Sequence, residues 1–221
     1  MFDFLEGYDL LGAFWVTVQL TLLSALFSLV WGTILAGMRV SPVPLMRGFG
    51  TAYVNIVRNT PLTVIIVFTA LGLADVYGVT LGSDNFDSQY FRLAVFGLSA
   101  YTAAFVCEAL RSGINTVPLG QAEAARALGL SFAQVLTLIV LPQAFRSVVG
   151  PLTNVLIALT KNTTVAAAIG VAEAALLMKE MIENEAQLVL IAAVFAFGFV
   201  MLTMPMGLLM GWVGKRVAVK R

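Results

Sequence analysis

The 221-residue chain is 60% hydrophobic and only 11% charged, and its mean hydropathy is +0.94. Because about a quarter of the residues are charged in an ordinary soluble domain, this composition predicts an integral membrane protein. The net charge of +1 gives no reason to expect nucleic-acid binding, and one cysteine with no histidine excludes a disulfide framework and most metal sites.

Apolar segments recur along the whole chain. Residues 1–10 lack the basic start and the cleavage site of a signal peptide, so the first apolar segment is expected to remain as an anchor. Three segments can cross a hydrocarbon core of about 30 Å unaided, and two more contain polar residues and proline. The five transmembrane helices are predicted at 11–38, 52–74, 91–110, 148–172 and 187–213. The predicted fold is an all-α integral membrane protein with a single domain over 1–221 and a loop at 111–147.

The distribution of basic residues predicts the orientation, since Lys and Arg are retained on the cytoplasmic side of a membrane. One side collects Arg39, Arg47, Arg58, Arg111, Arg126, Arg146, Lys215, Arg216, Lys220 and Arg221. The other side carries Asp3, Glu6, Asp9, Asp75, Asp84, Asp87, Glu173, Glu180, Glu183 and Glu185, with only Arg92 and Lys179 as basic residues. The N-terminus is therefore expected outside the cell membrane, and the 111–147 loop and the C-terminus in the cytoplasm.

Small residues follow a four-residue spacing in the first predicted span, at Ser24, Ser28, Gly32 and Ala36. Such a stripe lets another helix approach closely. A contact between two subunits and a contact within the chain explain it equally well.

The 120–142 stretch is the longest polar interruption, and it carries its own helical signals. Its alanine-rich part predicts a helix over 121–128 that ends at Gly129. Ser131 is expected to cap a second helix from Phe132, with Gln134 in its first turn, and Pro142 to interrupt that helix.

The order of residues in this stretch resembles the EAA loop in the permease subunits of ABC importers. Glu123-Ala124-Ala125 is followed after three residues by Gly129, after nine more by Ile139, and after one more by Leu141-Pro142. The resemblance implies the type I importer permease fold and a coupling helix that sits in a groove of an ATPase subunit. The residues that it assigns to coupling are Gly120, Gln121, Glu123, Ala124, Ala125, Gly129, Leu141 and Pro142.

The resemblance covers nearly the whole chain and is closest to the polar amino acid permeases. The matching positions are Arg58-Asn59-Thr60-Pro61, Glu108 with Arg111, Gly120-Gln121, Leu141-Pro142-Gln143, Asn154 and Lys161-Asn162-Thr163. Two departures are Asn59 in place of Gly and Thr164-Val165 in place of Ser-Leu. The family implies two ATPase subunits that bind ATP and magnesium, a second permease subunit, identical or homologous, and an extracytoplasmic amino-acid-binding protein. Overall similarity favours an acidic amino acid such as glutamate as cargo.

Polar residues within the interrupted spans are candidates for the substrate path, because they are costly in lipid. They are Lys161, Asn154, Thr153, Asn162, Thr163, Arg58 and Asn59. Lys161 can contact substrate, act as a gate, or pair structurally with a carboxylate; in a continuous helix Glu173 would lie about 18 Å away, so that pair needs a bend. Arg58 fits a cytoplasmic anchor as well as a path residue. Glu108 and Arg111, three residues apart, are predicted to form a structural pair at the entry to the loop.

The chain contains no Gly-xxxx-Gly-Lys-Ser/Thr sequence, so ATP hydrolysis is expected in a partner, and no cofactor is expected in this chain. The alternative function is an ATP-independent ion-coupled carrier or channel. Against that alternative, the chain has no acidic residue clearly at mid-membrane for ion coupling, and a carrier of this kind would have no use for a docking loop. A third possibility, a membrane-embedded enzyme, is not supported, because the sequence contains no plausible set of catalytic residues.

Overall fold

The computed structural model describes residues 7–82, 85–185 and 187–217, and within these ranges it contains helices and no strand. The helices are α1 (Leu10–Val40), α2 (Pro44–Arg58), α3 (Leu62–Val67, extended by a π-helix Phe68–Val76), α4 (Phe86–Ile114), α5 (Leu119–Ala127), α6 (Phe132–Val135, followed by a π-helix Leu136–Val140), α7 (Leu141–Asn162, followed by a 3₁₀ helix Thr163–Ile169), α8 (Ala174–Glu185) and α9 (Leu188–Val217). Five charged residues used above to predict the orientation lie outside the described residues: Asp3, Glu6, Asp84, Lys220 and Arg221.

Helix α1 packs along α4, and the contact uses the small-residue stripe of α1. Ser24 and Ser28 are fully buried, and a Cβ atom at Gly32 would lie 2.6 Å from Val106 and 2.8 Å from the Ala103 carbonyl oxygen. The two helix backbones can come this close only because position 32 has no side chain. The stripe therefore serves a contact within the chain.

The second predicted span is not one helix. Helix α2 ends at Arg58, helix α3 begins at Leu62, and the two are bent by 104°. Pro61 explains the break, because it has no N–H to donate and disfavours a helical backbone at the preceding Thr60. Residues 52–58 belong to α2, which begins at Pro44, and the parts on both sides of the bend pack against α4.

The third and fifth predicted spans are longer in the structure, as α4 and α9. Gly113, near the end of α4, contacts α7 so closely that an added Cβ would lie 2.1 Å from Val148 Cγ2. This contact fixes where the chain leaves the membrane before α5. Counting the bent pair as one span gives five candidate spans in the described residues, and otherwise four.

The prediction that Pro142 interrupts its helix was wrong. Phe132–Ile169 forms one apolar helical run of 38 residues, and Pro142 lies just after the π-helical turn Leu136–Val140. The wider π-helical turn leaves room for the proline ring, and the helix continues although Pro142 has no N–H group to donate. The helix that contains the fourth predicted span therefore begins before 148, at Phe132.

The segment between α7 and α9 carries a buried carboxylate. Glu173 is fully buried and accepts hydrogen bonds from the backbone N–H groups of Ala175 (2.9 Å) and Leu176 (3.1 Å) at the start of α8. The Thr17 hydroxyl of α1 donates a third at 3.4 Å. Burial nevertheless dominates and raises the pKa of Glu173 from 4.5 to about 7.

The raised pKa predicts a pH-dependent stability. Between pH 4.5 and 7 the folded chain keeps a proton at Glu173 that the unfolded chain has lost, so the free energy of unfolding falls as the pH rises. The full penalty is about 3 kcal/mol above pH 7. Thermal unfolding of the purified chain at pH 5 to 7.5 should show this slope, and Glu173→Gln should flatten it. Glu180→Gln, an exposed neighbour, should keep the slope; if Glu173→Gln also keeps it, the assignment fails.

Candidate functional site

The segment to which the sequence analysis assigns coupling is α5 with its terminating turn, and it is called the predicted coupling segment below. Gly129 has φ of +90°, its N–H donates to the Arg126 carbonyl at 2.9 Å, and the Leu130 N–H donates to the Ala125 carbonyl at 3.2 Å. These two bonds form a Schellman motif, which needs a left-handed residue at the glycine position. Ser131 and Gln134 then form the reciprocal capping box of the next helix. The sequence prediction of a helix, a glycine stop and a serine cap is confirmed.

Two side-chain hydrogen bonds join α7 to the chain that precedes α6, one to α5 itself and one to the link between α4 and α5. Gln143 Nε2 donates to Gln121 Oε1 at 2.7 Å, and the Thr116 hydroxyl donates to Ser147 Oγ at 2.9 Å. The sequence analysis placed Gln121 and Gln143 in separate motifs and missed the bond between them. The Gln121 and Gln143 bond therefore joins α5 directly to the first turn of α7.

The solvent face of the segment combines one acid with exposed apolar residues. Glu123 and Ala124 are exposed, whereas Ala125 is buried against the chain. Leu119 and Leu128, at the two ends of α5, are 80% and 82% exposed. Such apolar exposure outside a membrane span is typical of a protein-binding surface. The sequence analysis did not use these two leucines.

Glu108 lies at the centre of a cluster of three arginines. Arg39 of α1 forms a direct ion pair with it, Arg58 of α2 lies 3.5 Å from Glu108 Oε2, and Arg111 lies 3.9 Å from Oε1. The Arg39 side chain is only 9% exposed, against 45% for Arg58 and 42% for Arg111. The expected Glu108 and Arg111 pair is thus the longest of three contacts. Arg39 is 69 residues away in sequence, and no local signal indicates it.

Arg58 connects this cluster to the bend between α2 and α3. Its guanidinium also lies 5.6 Å from the centre of the Phe105 ring. Asn59 follows at the C-terminus of α2, where its side-chain amide donates to the Asn55 carbonyl at 2.7 Å. Arg58 therefore has its partners on α4, and Asn59 has its partner within α2.

Helix α7 exposes one face, on which Ser147 accepts the Thr116 hydrogen bond and Asn154 and Lys161 are the other polar residues. Exposed residues recur at alternating spacings of four and three, a helical stripe comprising Ser147, Pro151, Asn154, Ala158 and Lys161. Asn162 is half-buried beside it. No carboxylate of the described residues lies within 4 Å of the Lys161 ammonium.

Three residues near this face do not join it. Thr153 and Thr163 are buried on the opposite side, where their hydroxyls donate to the Val149 and Thr160 carbonyls at 2.7 and 2.8 Å. These back-bonds satisfy the hydroxyls, which leaves neither aimed at the stripe. Glu173, the possible partner of Lys161, is instead occupied by α8 and Thr17. The structure thus places Asn154 and Lys161 on the same exposed face of α7, whereas Thr153 and Thr163 lie away from that face.

The described chain is all-helical, has four or five candidate membrane spans, and exposes α5 and one face of α7. The family model for the inner membrane component of binding-protein-dependent transport systems matches residues 8–219, so the chain belongs to that family. It is a permease subunit of an ABC importer, and hydrolysis of ATP belongs to a separate subunit. The family resemblance inferred from the sequence is confirmed, as are the all-α type I permease fold and the multi-pass membrane location.

Two bacterial relatives match over almost their whole length. The glutamate transport system permease protein GluC of Corynebacterium efficiens is 56% identical over 97% of this chain and 96% of that protein. GluC of Corynebacterium glutamicum is 53% identical over the same shares. Among solved structures, an amino acid ABC transporter with histidines has a TM-score of 0.83 at 24% identity, covering 94% of this chain and 93% of its own. The likeness to that structure concerns the fold.

Proposed function

We propose that this chain forms the membrane path of an ATP-driven importer for acidic amino acids, with glutamate as the first candidate cargo. The observation that carries the proposal is the identity of 56% and 53% to two permeases named for glutamate transport, over nearly the full length of each chain. Lys161 and Asn154 on the open face of α7 supply chemistry that suits a carboxylate cargo.

The open face of α7 would line the path. The Lys161 ammonium attracts a carboxylate, and Asn154, two turns away on the same stripe, offers amide donors and an acceptor. Every amino acid has an α-carboxylate, so Lys161 favours the class of amino acids, and the relatives' names supply the preference for glutamate. A second permease subunit, a copy of this chain or a homologue, would close the path from the other side. Thr153 and Thr163 would support α7 from behind.

The coupling residues proposed from the sequence would meet an ATPase subunit on the cytoplasmic side. Glu123 offers a charge, Leu119 and Leu128 offer apolar surface, and Gln121 connects this surface to α7. Two ATPase subunits would bind ATP with magnesium and clamp one such segment each. The N-terminus would lie outside, where an amino-acid-binding protein delivers cargo.

Reconstitution tests this function directly. The chain is co-expressed with its neighbouring transporter subunits, purified in mild detergent and placed in lipid nanodiscs. ATP hydrolysis is then measured with a panel of amino acids and the external binding protein. Stimulation by glutamate above glutamine and arginine supports the proposal. Stimulation by another amino acid alone would correct the cargo. Solute flux from the chain without ATPase subunits would favour the ion-coupled carrier.

Lys161→Ala is expected to leave the complex assembled and to raise the glutamate concentration for half-maximal uptake at least tenfold. A charge-assisted hydrogen bond contributes about 1.5–3 kcal/mol, which corresponds to a tenfold to hundredfold change. Lys179→Ala is the matched control, because Lys179 is exposed and pairs with Glu183 at 3.8 Å on α8. Uptake kinetics in proteoliposomes measure both. Equal kinetics in the two variants would remove Lys161 from the path.

A further inference from the structure

A groove outside the proposed path opens between α1, α2 and α4. Its volume is about 700 Å³, and its wall is almost entirely apolar. The larger contributors are Phe27, Trp31, Tyr53, Phe91 and Phe96. Tyr53 satisfies its hydroxyl by donating to the Ala100 carbonyl at 2.9 Å, so the deep end of the groove demands no polar ligand. The groove suits a hydrocarbon chain.

One cation closes the other end of this groove. The Arg92 guanidinium donates to the Leu81 carbonyl, and no carboxylate of the described residues lies within 4 Å of it. A guanidinium has five N–H donors, so most of them stay available. Asp87 lines a neighbouring cavity that shares Phe91 and Arg92, but it forms no ion pair with Arg92. An exposed, carboxylate-free arginine beside an apolar groove is complementary to an anion with a hydrophobic tail.

The Arg92 backbone lies near the boundary of the hydrocarbon core, about 2 Å inside it if α4 is centred, and its long side chain can extend outward to the lipid phosphates. Helix α4 has 29 residues and is about 44 Å long, which exceeds a hydrocarbon core of about 30 Å by roughly 7 Å at each end. Arg92 lies six residues, or about 9 Å, from the start of α4. From there the groove follows α4 as far as Ala100, about 12 Å deeper, close to half the core.

We propose that this groove binds one anionic glycerophospholipid, with its phosphate at Arg92 and an acyl chain between Phe27, Trp31 and Phe96. Phosphate and guanidinium match in charge and in bidentate geometry. A second protein chain placed here would bury the guanidinium, and the groove itself supplies no carboxylate to compensate that cost. This lipid site is independent of the transported cargo.

Native mass spectrometry of the full chain, purified in mild detergent, tests the site. Phosphatidylglycerol and phosphatidylcholine with identical acyl chains are titrated separately as probes. We expect one phosphatidylglycerol to bind at least tenfold more tightly than phosphatidylcholine, and Arg92→Gln to abolish that preference. Arg47→Gln is the matched control, since Arg47 is an exposed arginine on α2 away from the groove, and it should preserve the preference.

A groove-filling variant separates this site from general lipid adhesion. Leu23→Trp places a large side chain into the apolar wall without changing any charge, and it should reduce phosphatidylglycerol binding as strongly as Arg92→Gln. Equal binding of both lipids to the unmodified chain and to both variants would overturn the proposal. Loss of subunit association in Leu23→Trp, with lipid binding unchanged, would overturn it in favour of a subunit interface.

Discussion

Glu108→Gln is expected to cause the largest loss of stability of any single charge removal in the described chain. The substitution leaves Arg39, whose side chain is 9% exposed, without a counter-ion among three arginines. Removing one partner of a largely buried ion pair costs about 3 kcal/mol or more, because the remaining charge is desolvated and uncompensated. Thermal unfolding of the purified chain in one detergent measures the effect as a fall in Tm.

The three arginines provide graded controls for this result. Arg39→Gln should destabilise the chain less than Glu108→Gln, because Glu108 keeps Arg58 and Arg111 within 4 Å. Arg111→Gln should change the Tm little, because its contact is 3.9 Å long and its side chain is 42% exposed. If Arg111→Gln matched Glu108→Gln while Arg39→Gln had no effect, the local pair predicted from the sequence would be the important one.

Glu123→Arg is expected to reduce uptake to background in the reconstituted transporter. The reversal puts a cation on the exposed face of α5, where we propose that a basic groove of the ATPase receives the acid. The amount of ATPase that co-purifies should fall in parallel. Glu180→Arg makes the same change on α8 and should retain the ATPase. Intact uptake in Glu123→Arg would disprove the coupling role.

The turn after α5 can be tested with the same uptake assay, and here the substitution acts through the backbone conformation and not through a charge. Gly129 has φ of +90° and an open surrounding, so Gly129→Ala meets no clash but forces a side chain into a left-handed backbone. That conformation costs about 1–3 kcal/mol for a residue other than glycine. Gly48→Ala is the matched control, since Gly48 is equally open and lies within helix α2. Uptake should fall in Gly129→Ala and persist in Gly48→Ala.

The features that the sequence predicted correctly are those that depend on residues close together in the chain. The long apolar segments predicted α1, α4 and α9. Gly129 and Ser131 predicted the turn after α5, because the backbone conformation of a turn is determined by residues within a few positions. The family resemblance came from the same kind of local spacing in the 120–142 stretch.

Features that depend on distant parts of the chain were missed. Arg39 reaches Glu108 only through the packing of α1 on α4, and the orientation of Thr153 depends on which side of α7 meets α4. Pro142 was predicted to break a helix, but the π-turn before it accommodates the ring. Propensity rules describe an isolated helix, and here tertiary packing decides the outcome.

The uninterrupted helical run from Phe132 to Ile169 joins the part of the chain beside α5 to Lys161. Lys161 lies 29 residues from Phe132, about 44 Å along a straight helix. If this run moves as one body, a tilt of about 10° at Phe132 would carry Lys161 sideways by about 8 Å. Gln143, which donates a hydrogen bond to Gln121, lies about 17 Å from Phe132, so the same tilt would move it by only about 3 Å. On the proposed coupling role of α5, a small displacement there would thus be amplified at Lys161.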